Sequence, residues 1–192
     1  MLYTVSLYLH IVGALIMFFA VGVEWLCLSN IRKAETRENI LGWLKNFAVL
    51  KKLFAVSFFL LLIPGIYMMT EIWVDAAWAI LGIIGLLSLS ISGSVLSGKK
   101  MIDIKKKTAL GETEFPLSKI LAKVRENYFW NSFMVRGFTA LGIVFIMTFK
   151  TNFLDSIIVL AVAILIGYVT GKATQISESK QQPEIKEESV LQ

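Results

Sequence analysis

The chain has 192 residues, of which 56% are hydrophobic and 17% charged, and its mean hydropathy is +0.70. A soluble core of this size cannot hide so much apolar surface, so lipid must cover part of it, and the length suits one bundle rather than two domains. The net charge of +5 is carried by residues that flank apolar segments. That pattern fits anionic headgroups and membrane topology, and nucleic-acid binding has no support beyond the charge itself.

Residues 1–9 have no basic region and no small-residue cleavage site, so the first apolar stretch is expected to stay as a span rather than leave as a signal peptide. Crossing the hydrocarbon layer takes about 20 apolar residues in a helix. Five stretches answer to that in chain order: 5–29, broken by His10 and Glu24; 53–70, with Pro64 inside; 76–98, free of charge; 128–149, carrying Arg136; and 153–171, with Asp155 near its entry. The expected fold is therefore an all-α membrane protein, a bundle of five transmembrane helices over residues 1–171. Lys150, Thr151 and Asn152 form the tight connection between the last two spans.

Orientation follows from the basic residues. Loops 31–52 and 98–127 and the tail from 172 hold all but Arg136 and Lys150 of the 19 Lys and Arg side chains. The loop 71–75 has only Glu71 and Asp75. This alternation predicts an N-terminus outside and a cytoplasmic C-terminus in a multi-pass protein of the cell membrane, a bacterial inner membrane. Trp73 and Trp78 then fall at the outer interface, and Trp25, Trp43 and Trp130 at the inner one. Residues 35–50 are expected as an interfacial helix with Leu41, Leu44 and Phe47 toward lipid. Leu117, Ile120, Leu121 and Val124 form an i, i+3, i+4, i+7 stripe that starts at Pro116 and runs into the fourth span. The tail 172–192 is polar and expected to be disordered.

Spans associate through small residues and polar links, because lipid tails are as apolar as leucine. Ala163, Gly167 and Gly171 make a small-residue ladder on the fifth span. Gly85, Ser88 and Ser92 mark one face of the third span, and Ser90, Ser94 and Ser97 another. The serines read first as packing groups bonded to preceding carbonyls. Pro64 removes one backbone hydrogen bond and is expected to kink the second span.

Ionisable groups at membrane depth are costly, which singles out His10, Glu24 and Arg136. His10 and Glu24 are 14 residues apart on one helix, about 40° from alignment, and so share a face with Gly13 and Met17. Glu24 and Arg136 have similar depth and opposite charge, and are expected to pair across the bundle. The pair reads as a structural link that sets helix register, not as a catalytic group. Cys27 is the single cysteine and reads as packing. A glycine-rich phosphate loop, HExxH, paired cysteines and a nucleophile elbow are all missing from the sequence, so no catalytic residue and no metal site is expected.

The stretch from Leu9 to Ala14 (LHIVGA), with Gly22, Glu24 and Trp25, resembles the first span of a family of small bacterial integral membrane proteins that carry a domain-of-unknown-function label. The stretch from Arg136 to Gly142 (RGFTALG) resembles that family's later span. The family is distantly similar to CopD-like membrane domains, which include copper-handling proteins and a haem-binding protoporphyrinogen oxidase. The resemblance implies that His10 is a haem or copper ligand. The departure is the lack of a second histidine: a second ligand would come from Met68, Met69 or His10 of another copy. The expected function is a non-enzymatic small transporter, channel component or accessory subunit, partnered by the bilayer and by a second copy or another membrane subunit. The alternative is a haem- or copper-linked redox protein using His10.

Overall fold

The computed structural model describes residues 1–72, 76–93, 98–110 and 115–188. The elements are α1 (Leu2–Lys33), α2 (Arg37–Ile72), α3 (Ala77–Ile91), α4 (Lys99–Ala109), α5 (Leu117–Val124), α6 (Asn127–Phe149) and α7 (Phe153–Glu188). No strand occurs among the described residues. Four helical stretches are long and apolar enough to cross a membrane: α1, α2, Leu117–Phe149 through α5 and α6, and Phe153–Thr174 of α7. Leu15, Phe19, Ile63, Leu154 and Leu165 on these helices are each at least 60% exposed. Apolar side chains laid out along whole helices in this way need a lipid environment, not water.

The third apolar segment differs from its predicted range of 76–98. It is α-helical over Ala77–Ile91, 15 residues, or about 22 Å, short of the about 30 Å hydrocarbon layer. Ser92 and Gly93, and separately Gly98, lie in wider π-helical turns. Ser94 and Ser97 of the predicted serine faces, and Trp73 and Asp75 before the segment, lie outside the described residues.

α1 packs along α2, α6 along α7, and α3 against α6. Glycines set the close approaches. A Cβ on Gly13 would lie 2.9 Å from Leu60 Cβ and 3.0 Å from the Leu60 carbonyl carbon, so α2 can press on α1 only where the side chain is missing. On α7 the small-residue ladder faces α6: Ala163 lies beneath Gly142, Gly167 beneath Val135 and Gly171 beneath Asn131. The turn between these helices is built for its length. Lys150 takes a left-handed conformation (φ 50°, ψ 49°), and Asn152 caps α7, its Oδ1 accepting the Asp155 N–H at 2.9 Å while its Nδ2 donates to Asp155 Oδ2 at 2.8 Å. Asn152→Ala is expected to cost about 1 kcal/mol, read as a lowered melting temperature in detergent.

The basic end of the molecule is more tightly packed than the spans. Leu28, Ile31, Ile40, Leu44, Met101, Ile104, Ile120, Val124, Phe129 and Phe133 form one buried cluster, with Phe47 against it. Leu44 and Phe47 therefore face protein, which corrects their expected orientation toward lipid. α2 explains it: at 36 residues it is about 54 Å long, more than a hydrocarbon layer needs, and Ile40 and Leu44 in its first half join the buried cluster of Met101 and Ile104 on α4 and Ile120 and Val124 on α5. Trp130 is likewise a core residue, 8% exposed, with Nε1 donating to Thr174 Oγ1 at 2.7 Å. A turn at Arg125 and Glu126 separates α5 from α6, where the stripe predicted one continuous helix. The backbone of α7 stays helical to Glu188, past Gly171.

Arg37 fastens this end. Its guanidinium donates to the carbonyls of Thr108 at 3.2 Å, Leu110 at 2.7 Å and Phe115, closing the exposed C-terminus of α4. Asp103 on α4 accepts from Lys107 at 2.7 Å and Lys123 at 3.4 Å. The Lys107 hydrogen bond, ahead of the Lys123 one, holds the Asp103 carboxyl below the usual carboxylate range. The stabilisation from this exposed group is present above that range, fades as pH falls through the lowered value, and is small in high dielectric.

Candidate functional site

α1, α2, α3 and α6, with the start of α4, surround a cavity of about 450 Å³. Its walls are mostly apolar and aromatic: Met17 and Val21 from α1, Phe54 and Phe58 from α2, Leu86 and Leu89 from α3, Met101 from α4, Phe133 and Ala140 from α6. Three charged side chains line it: Glu24, Lys51 and Arg136. Few convergent polar groups in an apolar chamber between helices is the usual composition of a ligand site.

The structure brings Glu24 and Arg136 together. Arg136 Nη2 donates to Glu24 Oε1 at 2.6 Å, and the Arg136 and Glu24 side chains are 16% and 7% exposed respectively. The contact joins α1 to α6, which otherwise meet over a short stretch. Each partner is held in place by its own helix. Arg136 Nε donates to the Ser132 carbonyl one turn back at 3.3 Å. Glu24 belongs to a stripe of Gly13, Ala20, Glu24 and Cys27, all buried, which turns that face of α1 inward. Gly93 leaves room for the guanidinium: a Cβ there would lie 2.9 Å from Arg136 Nη1.

The pair does not use its full bonding capacity. A carboxylate accepts through two oxygens and a guanidinium donates five N–H bonds. Among the described residues, Glu24 bonds through Oε1 alone, and Arg136 through Nε and Nη2. No further side-chain hydrogen bond to Glu24 Oε2 or Arg136 Nη1 occurs among the described residues. Lys51, exposed at the α4 end of the cavity with Nζ 3.7 Å from the Cβ position of Gly98, has no ion pair among the described residues. The three charges sum to one positive.

His10 lies elsewhere, between α1 and α2. Its Nδ1 is 2.9 Å from the Leu61 carbonyl oxygen, and its ring fits over Gly65, where a Cβ would sit 3.3 Å from Cε1 and Nδ1. A carbonyl partner makes Nδ1 the protonated donor and leaves Nε2 as the acceptor nitrogen. Met68 and Met69 lie further along the same stripe of α2. As a donor set for haem or copper, this is one imidazole nitrogen per chain. No group of three His, Cys, Asp or Glu side chains gathers among the described residues. To a haem iron the chain offers one histidine.

Four contributors to the cavity are not legible as such in the sequence. Lys51 reads as a loop charge, Gly93 lies inside the third apolar stretch and Gly98 at its end, and Met101 lies in a segment read as loop. The spacing of Met101, Ile104 and Thr108, all buried on α4, carried the signal as an i, i+3, i+7 stripe under the surrounding lysines. In comparisons with protein-family models, curated proteins and solved structures, nothing matches this chain.

Proposed function

We propose that the chain is a non-enzymatic, multi-pass membrane protein that holds a small molecule in the chamber between α1, α2, α3 and α6. It acts as a small transporter, a channel component or the ligand-bearing accessory subunit of a membrane complex. The observation that carries this reading is the half-satisfied Glu24–Arg136 pair opening onto an apolar cavity of about 450 Å³. A purely structural ion pair would be expected to close its remaining bonds on protein, because unmet buried polar groups are expensive. In the bilayer we place five spans, with α3 and the apolar sequence up to Gly98 as the third. The N-terminus is outside and the basic end, with α4 and α5, is cytoplasmic, as the Lys and Arg distribution favours.

Thiol labelling tests the chamber. In a Cys27→Ala background, Ser90→Cys places a near-isosteric thiol on the cavity wall, and Ser156→Cys places one at a 0% exposed site outside it. A small methanethiosulfonate reagent is expected to modify Ser90→Cys and spare Ser156→Cys. Equal protection of both would end the reading.

The CopD-like resemblance supports a second, redox reading, in which His10 Nε2 holds haem iron and a methionine or a second copy completes the coordination. A visible spectrum of protein expressed with haem available tests it: a Soret band abolished by His10→Ala supports it, and a colourless folded protein overturns it.

A further inference from the structure

We infer that the chamber takes an amphipathic anion: a hydrocarbon body with one acidic head group, such as a long-chain fatty acid. The inference rests on the ligand-holding reading above and names its ligand class. Three observations point the same way. The walls are aliphatic and aromatic, from Met17 on α1 to Phe133 on α6, so the body of the ligand is apolar. The charge of Glu24 is already met by Arg136, and Lys51 adds a cation with no ion pair among the described residues, so the site as a whole favours one negative charge. The bonding capacity left over at the pair includes a donor, Arg136 Nη1, beside the Glu24 Oε2 acceptor, and Gly93 leaves room for that donor nitrogen. A cationic or neutral apolar ligand would leave Arg136 Nη1 unanswered in the chamber, and a cation would also meet the Lys51 charge.

In the bound state the acidic head lies between Lys51 and Arg136 Nη1, and the chain extends along the phenylalanines of α2 toward α3. Glu24 holds the guanidinium in place and keeps Arg136 from drawing in a second anion. The volume, about 450 Å³, falls inside the range of about 300–1,000 Å³ for drug-sized ligand pockets.

The test uses the full chain in a non-ionic maltoside, with cis-parinaric acid and its methyl ester as fluorescent probes. Two variants avoid the ion pair. Lys51→Gln removes the exposed cation. Gly137→Leu fills the cavity from a helix position where a Cβ meets nothing within 4 Å, so it blocks the site without straining the fold. The acid is expected to bind about tenfold tighter than the ester, a difference near 1.4 kcal/mol. Lys51→Gln should remove most of that difference, and Gly137→Leu should abolish binding of both. Equal affinity for acid and ester, or a preference unchanged in Lys51→Gln, would overturn the anionic head group. Unchanged binding in Gly137→Leu would place the probe on the lipid-facing surface and overturn the site. Displacement of the acid by inorganic phosphate alone would overturn the need for a hydrocarbon body. Modification of Ser90→Cys alongside any of these failures would leave the chamber intact and reject only its assigned ligand.

Discussion

Replacing Glu24 with methionine is expected to destabilise the protein by about 3–5 kcal/mol, because it strands the Arg136 guanidinium, 16% exposed, without its counter-charge. For a chain of this length that corresponds to a fall of roughly 6–20 °C in melting temperature. Arg136→Met is expected to cost a similar amount by stranding Glu24. The double variant should recover most of the loss, since replacing a buried pair with apolar groups of similar volume is often neutral or stabilising. Thermal scans in detergent, followed by size-exclusion chromatography, give all three values. Losses that simply add in the double variant would mean that the two residues act independently, whatever their separation.

The second large effect is expected at Gly167. A Cβ there would stand 2.7 Å from Val135 Cα and 2.9 Å from the Met134 carbonyl oxygen. Both neighbours are backbone, so neither can rotate away. Spans held by close backbone approach lose that contact when a small residue grows. Gly167→Leu is expected to cost at least the about 1–3 kcal/mol typical of overpacking, by forcing α7 off α6. Gly22→Ala is the matched control, with nothing within 4 Å of its Cβ position. It should gain up to about 1 kcal/mol from helix propensity alone. A Gly167→Leu protein that melts with the parent would show that the α6–α7 contact contributes little to stability.

The four long apolar helices were legible because hydropathy over a span is a strong, additive signal that no tertiary contact reverses. Glu24 and Arg136 were legible for a related reason: a charge inside such a stretch stands out, and opposite charges at equal depth have few alternatives. What the sequence hid lies where water and lipid compete. In α4, Lys99, Lys100, Lys105, Lys106 and Lys107 dominate the composition and mask the buried Met101, Ile104 and Thr108. Leu44 and Phe47 were assigned to lipid because helical periodicity reports an apolar face without reporting what covers it; the cover is α4 and α5. Trp130 illustrates the same ambiguity, since an indole suits a membrane interface and a packed core equally. Lys51 could not be placed at the cavity from sequence, because its position depends on the return of the chain through α4 to Gly98. Arg37 likewise meets its three carbonyl partners more than seventy residues away.

We propose that the bundle crosses the membrane with its tightly packed basic end inside and the α6–α7 turn outside. Sidedness labelling tests it most directly. In the Cys27→Ala background, Lys150→Cys lies in that turn and Lys105→Cys on the exposed face of α4. A membrane-impermeant maleimide is predicted to label Lys150→Cys in intact cells and Lys105→Cys only after permeabilisation. Labelling of both positions in intact cells, or of neither until the membrane is opened, would put the two sites on one side and contradict this orientation.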